Sequence, residues 1–308
     1  MQNMNLVRTV FMGSPEFALP TLQRLAEQVM LMGVVTQPDR PAGRGRQLAP
    51  PPVKLLAGAL GVPCIQPERL RQPDALAQLQ AWQPELIVVA AFGQILRPAV
   101  LDLPPFGCIN VHASLLPRWR GAAPVNAAIL HGDTETGVTI MRMDPGIDTG
   151  PMLSQRAEPI LPEDTALSLG GRLAELGSRL LIETLPAYLD GSLPPQPQDE
   201  FLATYAPMLK KEDGRLDFNA SAEALARRVR AFTPWPGTFT IWQEEVLKIL
   251  RAHAVPGQAA PGTLLVHQGL PALGCADGLL VLDEVQPAGK TVRPGKVFLQ
   301  GAPGWGRT

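Results

Sequence analysis

The residues best suited to chemistry fall in two short stretches. The first is Cys108–His112 (CINVH), the strand-like opening of GCINVHASLLPRWRGAAPVNAAILHGD, whose end reads as a helix. Side chains alternate along a strand, so if Ile109 and Val111 face one way, Asn110 and His112 face the other. An Asn amide NH₂ is a fixed neutral donor that can meet negative charge developing on a carbonyl oxygen. A His ring can stabilise the same charge as a cation or carry a proton. Side by side at the carboxyl end of a buried strand, the two could serve an oxyanion-forming group transfer. Two satisfied polar groups at a strand end would show the same pattern, and the pair alone does not separate these alternatives.

The second stretch is TGVTIMRMDPGIDTGPML. Val138–Met143 reads as a strand, and the turn-rich DPGIDTG after it could bring Asp148 back over the strand ends. A carboxylate there would orient the His112 ring and balance its charge when protonated. Asp144 is the rival, although its place before Pro145 suits it to starting the turn.

The elements that would position these residues alternate in type. Leu6–Met12 reads as a strand, and Phe17, Leu19, Leu22, Leu25 and Ala26 recur at helical spacing within Pro15–Gln28. A strand over Met30–Thr36 follows. Next come a helix (Val53–Leu60), a strand (Pro63–Gln66), a helix (Ala75–Ala81) and strands at Leu86–Phe92 and Cys108–His112. Such alternation predicts an α/β fold with a mostly parallel sheet covered on both faces and ligands at the carboxyl strand ends. The first strand leads into GSPEF rather than GxGxxG, and no GxxxxGK follows any strand, so no nucleotide cradle is expected.

After a long helix over Thr165–Leu189, the stretch DGSLPPQPQD (Asp190–Asp199) has the composition of a linker. One helix (Ala222–Phe232) and short strands at Thr238–Trp242, Val246–Ala252, Gly262–Val266 and Leu279–Val285 then predict a small antiparallel, OB-like β-barrel. The expected organisation is a catalytic domain over 1–189, a linker over 190–206 and a barrel domain over 207–308.

The bulk composition fits this picture. Of 308 residues 45% are hydrophobic and 18% charged, as in ordinary globular proteins. The longest apolar run, Leu86–Phe92, is too short to span a bilayer, and Met1–Val10 lacks the pattern of an export signal; a cytoplasmic protein is expected. Three scattered cysteines argue against a disulfide framework or a CxxC zinc site. Cutting at Ala206 leaves net charges of −4 before and +3 after it, a weak pointer to a polyanion partner for the second part.

NVHASLLPRWRGAAP together with the IDTG loop resembles the signature of the 10-formyltetrahydrofolate-dependent formyltransferases. Further segments resemble the members of that family that act on an initiator tRNA carrying methionine. These are TQPDRPAGRGRQLAPPPVK (Thr36–Lys54), AAFGQIL (Ala90–Leu96), HGDTETGVTIM (His131–Met141), QDEFLATYAPML (Gln198–Leu209) and RAFTPWPG (Arg230–Gly237). The resemblance implies a Rossmann-like formyltransferase domain, 10-formyltetrahydrofolate as donor, and the free α-amine of that methionine as acceptor. It also implies Asn110, His112 and Asp148 as the catalytic set, with no metal. Ser114, Leu115, Leu116 and Pro117, with Phe92 and Gly93, would meet the folate, and Arg40, Arg44 and Arg46 the tRNA. The chain is expected to work as a monomer. A hydrolase releasing formate and an amino-sugar-nucleotide formyltransferase are the alternatives, and the basic loop and terminal barrel favour tRNA.

Overall fold

The computed structural model describes residues 4–42 and 47–306. In chain order they form β1 (Arg8–Gly13), α1 (Leu19–Gln28), β2 (Met30–Val35), β3 (Arg40–Ala42), β4 (Gln47–Ala49), α2 (Pro52–Ala59), β5 (Cys64–Ile65), α3 (Pro73–Ala81), β6 (Leu86–Ala90), α4 (Pro98–Leu101) and β7 (Cys108–His112). Then follow β8 (Arg120–Gly121), α5 (Pro124–His131), β9 (Glu135–Arg142), β10 (Met152–Pro159), α6 (Ala166–Leu189), β11 (Tyr205–Ala206), α7 (Ala222–Ala231), β12 (Thr238–Trp242), β13 (Glu245–Val255), β14 (Leu264–His267), β15 (Leu270–Gly274), β16 (Leu279–Pro287), β17 (Arg293–Pro294) and α8 (Gly295–Gln300). Among these no helix is long and apolar enough to cross a membrane.

Two compact units emerge. The first comprises Met1–Pro124, Glu135–Pro159 and Gly170–Ala206. Its seven-stranded sheet runs β10-β9-β7-β6-β1-β2-β5. The five strands from β7 to β5 are parallel, as the alternating elements predict. β9 and β10 add an antiparallel edge. Val10, Phe11 and Met12 of β1 and Leu86–Ala90 of β6 are buried almost completely, the signature of central strands covered on both faces. β6 ends two residues before the expected Phe92 because Ala91 turns to φ 47°. The Phe92 ring then drops into the core with Val10, Met12 and Leu96.

β7 is held from the opposite face by α6. At Gly177 of that helix a Cβ would lie 2.6 Å from Val111 Cγ1, so only glycine lets helix and strand approach this closely. The same strand carries Cys108, whose thiol burial pushes up to about 12, in keeping with a packing role.

The second unit comprises Val125–Thr134, Ile160–Leu169 and Pro207–Thr308. Its sheet, β12-β13-β16-β15-β14 with β17 beside β16, is antiparallel throughout, as a small barrel domain requires. Leu225 and Val229 of α7 pack with Leu247, Ile249, Leu280 and Leu282 beneath it. Trp242, Phe298 and Trp305 meet with ring centroids 5.2–5.8 Å apart, near the edge-on geometry that aromatic pairs prefer. Two segments distant in sequence join this unit through α7. Asn126 donates to the Ala231 carbonyl at 2.7 Å, and Arg230 donates to the Asp164 carbonyl at 2.9 Å.

Candidate active site

Asn110 and His112 leave the same face of β7, two residues apart, and both are buried. Because β9 runs antiparallel to β7, with Ile109 opposite Arg142, the loop after β9 begins beside the amino end of β7. It then doubles back, and Met143 N–H donates to the Cys108 carbonyl at 2.7 Å. Asp148 arrives alongside Asn110: the Asn110 amide donates to Asp148 Oδ1 at 3.3 Å, and His112 Nδ1 stands 3.6 Å from that oxygen. Asp144, the rival carboxylate, instead accepts from Gly146 N–H at 3.1 Å and the Thr149 hydroxyl at 2.7 Å. It shapes the turn that presents Asp148.

The hydrogen bonds orient the His112 ring. Its Nε2 lies 3.0 Å from the Trp119 carbonyl, which can only accept, so Nε2 carries a proton. Nδ1 is therefore the nitrogen that faces Asp148 and can gain or lose the second proton. Asp148 Oδ2 accepts from the Gly121 N–H at 2.9 Å, so each carboxylate oxygen has a defined partner. Two non-glycine residues here adopt left-handed backbone, Asp148 at φ 53° and Trp119 at φ 59°. Such conformations cost about 1–3 kcal/mol each and persist where surrounding contacts impose them. Gly121 lies at φ 112°, and a Cβ there would come within 2.6 Å of the Ala206 carbonyl oxygen.

Those surrounding contacts come largely from residues 196–206, within the stretch expected to be a linker. Gln196 bridges to Met152. Gln198 donates both protons of its amide, to the Asp148 carbonyl at 2.8 Å and the Gly150 carbonyl at 2.7 Å. Its oxygen accepts from Arg120 Nε at 3.0 Å. Arg120 is wholly buried, and its other nitrogens make a forked pair with Glu200, both bonds 2.8 Å. That pair raises the affinity of Arg120 for its proton and lowers that of Glu200. The Thr204 hydroxyl and carbonyl accept from Trp119 N–H and Arg120 N–H, each at 2.9 Å. Gln198, Glu200, Thr204 and Arg120 escape a search for catalytic residue types. Their one signal is that PRWRG and QDEFLAT both lie within the segments that resemble the formyltransferases.

The remaining candidates distribute unevenly. Ser114 is fully buried and donates to the Arg118 carbonyl at 2.6 Å, closing its own loop. Leu116 is buried, its N–H donating to Thr139 Oγ1 at 3.0 Å and its carbonyl accepting from Gln155 at 2.8 Å, while Leu115 and Pro117 are half-buried. The Phe92 side chain belongs to the core, and Gly93 is exposed with φ 79°. Arg40 is exposed on β3, whereas Arg44 and Arg46 lie outside the described residues. Behind β3, Asp39 accepts two bonds from Lys54 at 2.8 and 2.9 Å and one from Gln66 at 2.6 Å. In the second unit Arg227 pairs with Glu223, Arg228 covers the Phe232 ring and Arg230 is half-buried, so the three arginines of α7 do different work. Among the described residues no group of three His, Cys, Asp or Glu side chains is placed to hold a metal.

Residues 7–185 match the family model described as formyl transferase, and residues 208–303 match that described as formyl transferase, C-terminal domain. The chain belongs to the formyl transferase family. Formyl transferases are also its relatives over nearly the full length. It is 49% identical to a methionyl-tRNA formyltransferase of Citrifermentans bemidjiense, covering 96% of this chain and 93% of the relative. It is 50% identical to that of Myxococcus xanthus, covering 98% of each. Among solved structures the fold is similar to the sugar 3N-formyl transferase WlaRD, with a TM-score of 0.66 at 17% identity over 93% of this chain and 99% of that one. It is also similar to the methionyl-tRNA formyltransferase of Clostridium thermocellum, with a TM-score of 0.57 at 16% identity over 80% and 93%. Formyl transferase chemistry is thus the context in which the Asn110, His112 and Asp148 cluster stands.

Proposed function

We propose that this chain transfers the formyl group of 10-formyltetrahydrofolate to the free amine of methionyl-tRNA, the initiator form, and so supports the start of translation. The observation that carries this reading is the convergence of Asn110, His112 and Asp148 in a chain half identical, nearly end to end, to methionyl-tRNA formyltransferases.

The residues divide the work as follows. The neutral amine attacks the formyl carbon, and the carbonyl oxygen becomes an oxyanion. Asn110 Nδ2 donates to that oxygen, and His112, charged at Nδ1, stabilises it from a second side. Asp148 holds the ring and balances its charge, and the pair carries the amine's proton toward the departing folate nitrogen. The chemistry demands a held geometry, an oxyanion partner and one proton transfer. Ser114, Leu115, Leu116 and Pro117, with the backbone at Phe92 and Gly93, are the proposed wall for the folate. Arg40, Arg44 and Arg46 are the proposed contacts for the acceptor end of the tRNA, and the 207–308 domain, joined through 190–206, the proposed surface for its phosphates. The enzyme is proposed to act in the cytoplasm as a monomer.

The test is the fate of a labelled formyl group. Given 10-formyltetrahydrofolate and methionyl-tRNA, the label should appear on the methionine amine. Label found only in formate, or only on an amino-sugar nucleotide supplied in competition, would overturn the assignment.

A further inference from the structure

We infer that Gln198 is a positioning residue for the transfer step: clamped by the buried Arg120 and its Glu200 partner, its amide grips the 148–150 turn and aims the Asp148 carboxylate at Asn110 and His112. This rests on the proposed transfer for its kinetic meaning, although the clamp itself is a matter of geometry.

The chemistry of the partners leaves one orientation for the amide. A guanidinium has only donors, so the oxygen of Gln198 must face Arg120 Nε. The NH₂ must then face the two carbonyl oxygens, Asp148 O at 2.8 Å and Gly150 O at 2.7 Å, and each accepts one of its two protons. Both N–H donors of the group are used and its oxygen is engaged, and rotation by half a turn would set donors against donors and oxygens against oxygens. One of the two bonds falls on the carbonyl of Asp148 itself, which sits at φ 53°. Asp148 returns the bond through its side chain, accepting from Gly121 N–H at 2.9 Å, next to Arg120 in the chain.

Arg120 is fully buried while its partner Glu200 is exposed, with 66% of its side-chain surface accessible. The guanidinium is thus fixed from the surface by Glu200 and passes that fixation inward through Gln198. Thr204 pins the same strand of chain at Trp119 and Arg120. The ring of contacts is Glu200, Arg120, Gln198, the 148–150 turn, and back through Gly121. A misplacement of about 1 Å in a catalytic group can cost on the order of 100-fold in rate, so restraint on this turn bears directly on the transfer step.

The experiment uses the full chain with Gln198→Glu, Gln198→Leu and Glu200→Ala. Gln198→Glu keeps an acceptor for Arg120 but turns oxygen against the two carbonyls, so it separates the grip on the turn from the bond to Arg120. In single-turnover transfer to methionyl-tRNA, both Gln198 variants should lower the rate roughly 10- to 100-fold, the scale of a small misplacement of a catalytic group. KM for either substrate should stay within about twofold, since uniform binding is untouched. Adding Glu200→Ala to Gln198→Leu should slow transfer no further, because both act through one chain of contacts. Amide hydrogen exchange supplies a readout that needs no turnover: the segment containing Gly121 should exchange faster in each variant than in the unaltered protein. A rate for Gln198→Glu within about twofold of the unaltered protein, strictly additive losses in the double variant, or unchanged exchange at Gly121 would each overturn the inference. If the unaltered protein formylates no methionyl-tRNA, the functional reading fails, while the exchange measurement still decides the clamp.

Discussion

Replacing Asp148 with Asn separates the charge of the site from its shape. Asn has nearly the same volume and is among the few residues other than glycine that accept a left-handed backbone, so the turn at φ 53° should persist. Neither amide orientation restores the native contacts. With its oxygen toward Gly121 N–H, the new NH₂ faces the Asn110 amide and His112 Nδ1, which are donors in the charged site. Turned over, it faces the Gly121 N–H instead. The larger loss is electrostatic. Unit charges 3.6 Å apart, as His112 Nδ1 and Asp148 Oδ1 are, attract by about 4–5 kcal/mol at an effective dielectric of about 20. Asp148 keeps 15% of its side-chain surface exposed and His112 5%, so solvent removes part of this. If about 3–4 kcal/mol is withdrawn from the charged state that accompanies the oxyanion, the chemical step slows roughly 150- to 1,000-fold. The assay is single-turnover transfer of labelled formyl to methionyl-tRNA with both substrates saturating, beside a thermal melt to confirm folding. A folded Asp148→Asn protein within tenfold of the unaltered rate would refute the placement of this carboxylate in the charge balance of the reaction.

Asn110→Ala removes the proposed oxyanion donor and should cost roughly 100- to 1,000-fold in the chemical rate; a loss of tenfold or less in a folded variant takes Asn110 out of the mechanism. Arg44→Ala should raise KM for the tRNA, and flatten its dependence on salt, while KM for the folate holds. An unchanged tRNA KM would remove Arg44 from that role. Gly121→Ala forces a Cβ to 2.6 Å from the Ala206 oxygen at φ 112°, and a strain of about 1–3 kcal/mol should lower the melting temperature by roughly 2–10 °C. A melt within about one degree of the unaltered protein, read beside that scale, would show that the loop absorbs the methyl group.

How much of this was legible in the sequence depends on whether the cause of a feature is local. The parallel strands were legible because a buried central strand must be apolar along its length, and Leu86–Ala90 is. Asn110 and His112 were legible because two polar residues spaced by two in such a strand break that rule together. Other strands hid for equally local reasons. β10 is an edge strand whose consecutive residues Ser154, Gln155 and Arg156 are all polar, so its pattern is weak. β15 contains Pro271 and ends in Gly274, which read as turn residues although the strand is buried between β14 and β16. The placement of 125–134 and 160–169 in the second unit could not be read at all, because it depends on contacts between segments far apart in the chain, among them the bonds between Asn126 and the Ala231 carbonyl and between Arg230 and the Asp164 carbonyl.

The stretch around Gln198 shows why a composition can be read correctly and its consequence missed. Prolines at 194, 195 and 197 keep the chain extended and remove backbone donors, and this is what a linker looks like. An extended chain, however, has no internal partners for its polar side chains, so any surface it crosses with matching donors and acceptors can capture them. Here that surface offers Arg120 and the carbonyls of the 148–150 turn, and Gln198, Glu200 and Thr204 answer to them. Asp148 could be proposed as a catalytic carboxylate from its residue type and its turn. What holds it there is set by chain about fifty residues later, and the need of the buried Arg120 for acceptors that its own segment lacks becomes visible only in the structure.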